Sequence, residues 1–279
     1  ILILGDTNSC LSALSAKRLK IPIFHLEAGN RCFDQNVPEE INRKIVDHIS
    51  DINLTYTENA RKYLLMEGLR KDFIFNVGSP MKEILNSYKK QISKSEILEK
   101  LKLIKNEYIV VSVHREENLD ISDNFSNILD AIDEVSSNND KQIIFSTHPR
   151  TRKKLEEMKR DKNSKISYIK PLGFFDYIFL QLNAFVTLSD SGTLAEEASL
   201  LKFPSVSLRN STERPEAIDS GSLILGSVDK NNIINSINLA LNLKNIIEPS
   251  DYDSPNCSEK VIKIIQGYTS IVNSEVWKK

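Results

Sequence analysis

Short apolar runs alternate with amphipathic segments along nearly the whole chain. The runs Ile1–Leu4, Ile21–His25, Ile52–Tyr56, Phe73–Val77, Tyr108–Val113, Gln142–Thr147, Ile166–Ile169, Ala184–Leu188, Ser205–Ser207 and Ser222–Leu225 read as short buried strands. Between them, apolar positions recur at helical spacing over Ser9–Leu19, Glu39–His48, Glu58–Met66, Met81–Ser87, Ser95–Ile104, Asn124–Ser136, Thr151–Arg160, Tyr177–Asn183, Thr193–Leu200 and Asn231–Leu243. Such alternation predicts an α/β fold in which parallel sheets carry helices on both faces. The polar, Lys-rich stretch Lys89–Lys105 separates two series. It places a boundary near residues 88–106, with one domain over 1–90, a second over 106–250, and a C-terminal helical segment over 251–279. The first series holds fewer strands than the second. The chain also opens without Met, inside the apolar run Ile1–Leu4. Both features create the expectation that the N-terminal domain is incomplete.

Composition narrows the function classes. Lys and Arg number 37 against 38 Asp and Glu in 279 residues, so no global field favours nucleic acid or an anionic membrane as partner. Cys10, Cys32 and Cys257 are odd in number, scattered and without a CxxC pair. That pattern points to reduced thiols in a cytoplasmic protein. No apolar run approaches the roughly 18–20 residues of a membrane span, and no signal-peptide pattern is present.

The polar residues collect where strands end, which is where open α/β sheets bind ligands. The run Ala184–Leu188 leads into Asp190-Ser191-Gly192-Thr193, and a helix with Glu196 and Glu197 in its first turns follows. Free backbone N–H groups and a positive dipole end suit an anion there, although an ordinary N-cap explains the same residues. Asp6 follows Gly5 at another strand end and can equally be a cap. Glu27 lies just beyond Ile21–His25, where capping explains it less well. Glu39 follows Pro38 at a helix start and suits the dipole without any catalytic role. Several carboxylates gathered there would raise one another's pKa and so handle protons near neutral pH. His114 and His148 end successive strands, each with an Arg nearby, whereas His25 and His48 read as packing or surface residues. No metal-site spacing, nucleophile elbow or Walker loop occurs.

In order, Gly5-Asp6-Thr7, His25-Leu26-Glu27-Ala28-Gly29-Asn30-Arg31, Pro38-Glu39-Glu40-Ile41-Asn42-Arg43, His114-Arg115-Glu116-Glu117-Asn118, His148-Pro149, Asp190-Ser191-Gly192 and Glu213-Arg214-Pro215-Glu216 closely resemble the non-hydrolysing UDP-N-acetylglucosamine 2-epimerase family. The resemblance runs from Ile1 to roughly Leu225. It implies a GT-B-like architecture of two Rossmann-like domains with the active site in the cleft between them, and a C-terminal segment that folds back onto the first domain. It also implies a UDP-linked 2-acetamido sugar as substrate, inverted at C2 without a metal or external redox cofactor. UDP departs to leave a 2-acetamidoglucal and then re-adds, in the supply of surface-polysaccharide precursors. By motif position Asp6, Glu27, Glu39 and His114 match catalytic residues. Ser191, Gly192 and Thr193 match diphosphate contacts, Glu197 a ribose contact, and His148 and Arg214 further nucleotide positions. Tyr177 lies near an aromatic position beside the uracil, with core packing as the alternative.

The resemblance further implies a homodimer, and a preceding Gly-Thr-Arg-Pro-Glu loop within roughly 80–90 further residues, judged from the strand deficit. The loop Asn30–Val37 resembles the subgroup acting on modified sugars, such as UDP-N-acetyl-L-fucosamine synthase or a 2,3-diacetamido uronic acid epimerase. A GT-B glycosyltransferase using a UDP-sugar donor shares the architecture and is the competing expectation.

Overall fold

The computed structural model describes residues 1–279 apart from Ile121, Ser122, Asn139, Asp140, Lys162 and Lys244. Its strands are β1 (Leu2–Leu4), β2 (Phe24–Leu26), β3 (Ile52–Thr55), β4 (Ile74–Asn76), β5 (Tyr108–Ser112), β6 (Gln142–Ser146), β7 (Ile166–Ile169), β8 (Val186–Ser189), β9 (Ser205–Ser207) and β10 (Ile224–Leu225). All pair in parallel, in two sheets ordered β1-β2-β3-β4 and β10-β9-β8-β5-β6-β7. The chain divides into two compact units. The first holds Ile1–Asn86, Glu213–Glu216 and Pro249–Lys279; the second holds Ser87–Thr212 and Ala217–Glu248. Both units are Rossmann-like α/β sheets, as the alternation predicts.

In the first unit, side chains on successive strand positions go to opposite faces. Phe24, Leu26, Ile52 and Leu54 pack against Cys257, Val261 and Val272 of the C-terminal helices. Ile3 and Ile23 pack on the other face with Ala13, Ala16 and Val46. The helix Pro38–Ile49 begins with Pro at its first turn, where the missing N–H costs nothing, and carries Glu39 and Glu40 at its positive end. The helix Glu58–Met66 is capped by Thr57, whose hydroxyl accepts from Ala60 N at 3.1 Å.

In the second unit, Ile109, Val111, Val186, Leu188 and Val206 face one core with Phe125, Ile128 and Ile132. The strand order is that of a doubly wound sheet, with the winding direction reversing between β5 and β8. Crevices for ligands open at such a reversal, beyond the carboxyl ends of the strands.

Several elements differ in extent from the sequence expectation. The helix Met81–Ser93 runs six residues past Ser87, because buried Leu85 and Ile92 lie seven apart on one face while Lys89 and Lys90 stay exposed. The helix Phe174–Leu182 starts ahead of Tyr177. The short helices Glu116–Asp120 and Pro215–Asp219 lack enough residues for a readable period.

Candidate functional site

The reversal point of the second sheet is organised by Asp190. Its carboxylate is fully buried just past β8 and accepts from His114 N at 3.1 and 3.0 Å, Arg115 N at 2.9 Å and Asn118 Nδ2 at 3.0 Å. Arg115 Nε also donates to the Asp190 carbonyl oxygen at 2.8 Å. His114 Nδ1 lies 3.2 Å from Asp190 Oδ1, while the ring stays 43% exposed. A carboxylate at Nδ1 selects the tautomer with the proton there and leaves Nε2 as the free, reactive nitrogen. One acidic side chain thus ties the ends of β5 and β8 together and orients a histidine.

Around that point the structure gathers most of the expected nucleotide residues. Ser191 and Thr193 share a hydroxyl–hydroxyl hydrogen bond of 3.0 Å at the entry to the helix Leu194–Leu201, and Gly192 lies between them. Glu197 is buried in that helix and accepts from Gln181 Nε2 at 3.0 Å and from the Thr193 hydroxyl. Burial pushes its carboxyl up; the bonds from Gln181 and Thr193 oppose this, and Glu196 adds to it. Half-buried Tyr177 shares hydrogen bonds with Ser112 and Ser189, the last residues of β5 and β8, and burial raises its phenol. His148 follows the neighbouring strand β6, and Thr151, three residues on, donates to Val113 O at 2.6 Å beside His114. His148 is the exposed N-cap of the helix Pro149–Glu157, accepting from Arg150 N at 3.4 Å.

The first unit gathers the carboxylates. Asp6 Oδ2 accepts from Arg43 Nε at 2.8 Å. Burial raises the Asp6 carboxyl, Arg43 pulls it down, and Glu27, Glu213 and Glu39 push it further up. Glu27 has a positive φ of 73°, costly for a side-chain-bearing residue, and accepts from Arg214 Nη2 at 2.6 Å and Asn30 Nδ2 at 3.2 Å. Gly5 has a φ of +70°, and a Cβ there would stand 3.2 Å from Glu27 Oε2. The absent side chain brings the Asp6 turn close to the Glu27 carboxylate.

The acidic pair at residues 39 and 40 separates in role. Glu40 is buried and holds the preceding loop, accepting from Cys32 N at 3.0 Å and Phe33 N at 3.3 Å, and it also accepts from Arg43 Nη1 at 3.3 Å. Glu39 is half-buried and within electrostatic reach of Asp6. Arg214, expected on the nucleotide side, is seated on Glu27 among the carboxylates. His25 is fully buried and hydrogen-bonded on both ring nitrogens, to Asp47 and to the Gly5 carbonyl oxygen, and His48 is a surface residue on Glu67 at 3.0 Å.

Sequence reasoning passed over Asp190, Asn118, Gln181, Arg43 and Glu213 as working parts. Asp190 was legible in principle: an acidic residue directly after the buried run Val186–Ser189 must find donors or pay desolvation. Among the described residues, no group of three or more His, Cys, Asp or Glu is placed to hold a metal ion, and no helix is long and apolar enough to cross a membrane.

Comparison with known proteins adds identity to this geometry. The family model described as UDP-N-acetylglucosamine 2-epimerase matches residues 1–266. A solved UDP-N-acetylglucosamine 2-epimerase from Rickettsia bellii is 43% identical with a TM-score of 0.91, the match covering 100% of this chain and 76% of that one. The UDP-N-acetylglucosamine 2-epimerase of Methanocaldococcus jannaschii is 38% identical over 273 residues, covering 95% of this chain and 74% of its own length. Its structure in complex with UDP-GlcNAc and UDP has a TM-score of 0.89. The UDP-2,3-diacetamido-2,3-dideoxy-D-glucuronate 2-epimerase of Pseudomonas aeruginosa is 32% identical over 244 residues, 86% of this chain and 67% of its own length.

Proposed function

This chain belongs to the UDP-N-acetylglucosamine 2-epimerase family, and from that premise we propose that it inverts C2 of a UDP-linked 2-acetamido sugar by eliminating and re-adding UDP. A base takes the C2 proton while the C1–O bond to UDP breaks, leaving a 2-acetamidoglucal and free UDP. UDP then returns to C1, and a proton arrives at C2 from the opposite face. Two faces require two proton-handling groups. The Asp6 carboxyl supports this reading most directly: burial raises it, Glu27, Glu213 and Glu39 add to the rise against the pull of Arg43, and a raised carboxyl suits a group that takes up and gives back a proton.

We assign Asp6, Glu27, Glu39 and His114 together to proton transfer and leaving-group support. His114 acts through Nε2, since Asp190 occupies the other side of its ring. Arg214, already seated on Glu27, supplies positive charge to the diphosphate as it leaves. The N–H groups at Ser191, Gly192 and Thr193 receive the diphosphate, and Glu197 receives the ribose hydroxyls. Tyr177 stands beside the base, and His148 is a further nucleotide contact. The products serve surface-polysaccharide assembly, and the working form is a homodimer. The substrate carries the 2-acetamido group; its other substituents are to be found with a panel of UDP-2-acetamido sugars.

Incubation with such a panel in D₂O is the test. Deuterium at C2 of both epimers is the expected result. A C2 that keeps its proton, with the sugar passed to an acceptor, would support a UDP-sugar glycosyltransferase in its place.

A further inference from the structure

His25 is a buried ionisable group to which the mechanism above gives no task, and its surroundings give it one. It occupies the centre of β2 with no solvent exposure. Its Nδ1 lies 2.7 Å from Asp47 Oδ1, and its Nε2 lies 3.0 Å from the carbonyl oxygen of Gly5. A carbonyl oxygen only accepts, so Nε2 must carry a hydrogen. Asp47 accepts from Arg31 Nη1 at 2.7 Å and from Gly29 N at 3.2 Å, as an ionised carboxylate does. Nδ1 must then carry a hydrogen too. A ring with both nitrogens donating is an imidazolium.

The charges around the ring close on themselves. Arg31 pairs with Asp47 on one side and Glu67 on the other, its Nη2 lying 2.6 Å from Glu67 Oε2. Two buried cations thus stand against buried Asp47 and against Glu67 at the surface, and paired charge of this kind is the condition under which burial is tolerated. In the turn before the helix Ser12–Arg18, burial pushes the Cys10 thiol up, and Asp6 and Asp47 add to the rise. Beyond Glu67 the chain of charge ends at half-exposed His48.

This buried pair grips the backbone beside two of the carboxylates. The Gly5 peptide is held from both sides, its N–H donating to Leu26 O at 3.0 Å and its carbonyl accepting from His25. Asp6 is the next residue. Asp47 in turn holds Gly29 N, two residues after Glu27, where φ is +81°.

We propose that His25 is a positioning residue: a buried imidazolium that, with Asp47, sets the Gly5–Asp6 turn and the Glu27–Gly29 turn in register with one another. The role rests on the assignment of Asp6 and Glu27 to proton transfer, whereas the doubly protonated ring stands on geometry alone. A turn displaced by about 1 Å costs on the order of 100-fold in turnover.

Two measurements separate the parts. In ¹⁵N-histidine-labelled wild-type protein, both nitrogens of His25 are expected to be protonated at pH 7; a bare nitrogen there overturns the proposal whatever the protein catalyses. In the His25→Gln variant, where one amide donor replaces two, kcat is expected to fall 10- to 100-fold with UDP affinity unchanged. Wild-type turnover, or a loss of UDP affinity in step with the loss of kcat, refutes the positioning role. C2 exchange in the wild type, scored alongside, tells that failure apart from a failure of the epimerase reading. Asp47→Asn reports the same way on the ¹⁵N signals of His25 should the first variant not fold.

Discussion

Replacing Asp190 by Asn is the sharpest single perturbation of the second unit. The side chain is fully buried and accepts from His114 N, Arg115 N and Asn118 Nδ2 at 2.9–3.1 Å, with His114 Nδ1 at 3.2 Å. An amide keeps one acceptor oxygen and turns an NH₂ toward groups that are themselves donors. At least one buried N–H then loses its partner, at about 1–3 kcal/mol each, and two such losses bring the expected destabilisation to about 2–6 kcal/mol. Hydrogen exchange should show it as lost amide protection in β5 and β8, because Trp277 lies in the first unit and does not report on this one. The chemical consequence is larger. An NH₂ facing Nδ1 favours the tautomer with that nitrogen bare, which puts the proton on Nε2 where the reaction needs a free lone pair. A general acid–base group held in the wrong form loses about 100- to 10,000-fold in kcat, and UDP affinity measured by calorimetry should change far less. The reasoning fails if Asp190→Asn turns over within a few-fold of wild type, or if ¹⁵N shifts show Nδ1 of its His114 still protonated.

Three other outcomes are expected. Glu39→Gln or His114→Ala cuts turnover at least about 100-fold while UDP affinity holds in calorimetry; normal turnover removes that residue from the chemistry. Glu197→Gln weakens UDP binding yet raises the Tm of the free protein by about 2–4 °C at pH 7. The sign follows from the raised carboxyl: the folded protein binds that proton more tightly than the unfolded chain, so Glu197 lowers stability as pH climbs above its ordinary 4.5. The Tm gain should therefore shrink toward pH 4, and a gain independent of pH contradicts it. Gly29→Ala destabilises the first unit by at least about 3 kcal/mol, since its Cβ would stand 2.4 Å from the Ala60 carbonyl oxygen at a φ of +81°; near-normal melting refutes that packing.

How legible the fold was depended on the range of the interaction. Strands such as Ile166–Ile169 and Ser205–Ser207 appear in the structure with the extents read from the sequence. The helix Met81–Ser93 was cut short because its lysines masked an apolar stripe that continues through Ile92. What local pattern cannot carry is a contact across 187 positions, such as Arg214 on Glu27. That contact seats Arg214 beside the carboxylates, which motif order alone does not disclose. His25 shows the same limit: an apolar strand with a histidine at its centre looks like packing, and only the partners Asp47 and Gly5 disclose its charge. Asp6, Glu27 and Glu39 could be named from motif order, but their mutual electrostatic push required coordinates.

Reversible rupture of the bond between C1 and UDP is the step on which all of this depends, and positional isotope exchange reads it directly. A UDP-2-acetamido sugar carrying ¹⁸O in the oxygen that bridges C1 and the β-phosphate is incubated with the protein, and the recovered substrate is analysed by ³¹P NMR. Migration of the label to the non-bridging β-phosphate positions, in step with deuterium entry at C2, is the predicted result. Inversion at C2 with the ¹⁸O still in the bridge would contradict it.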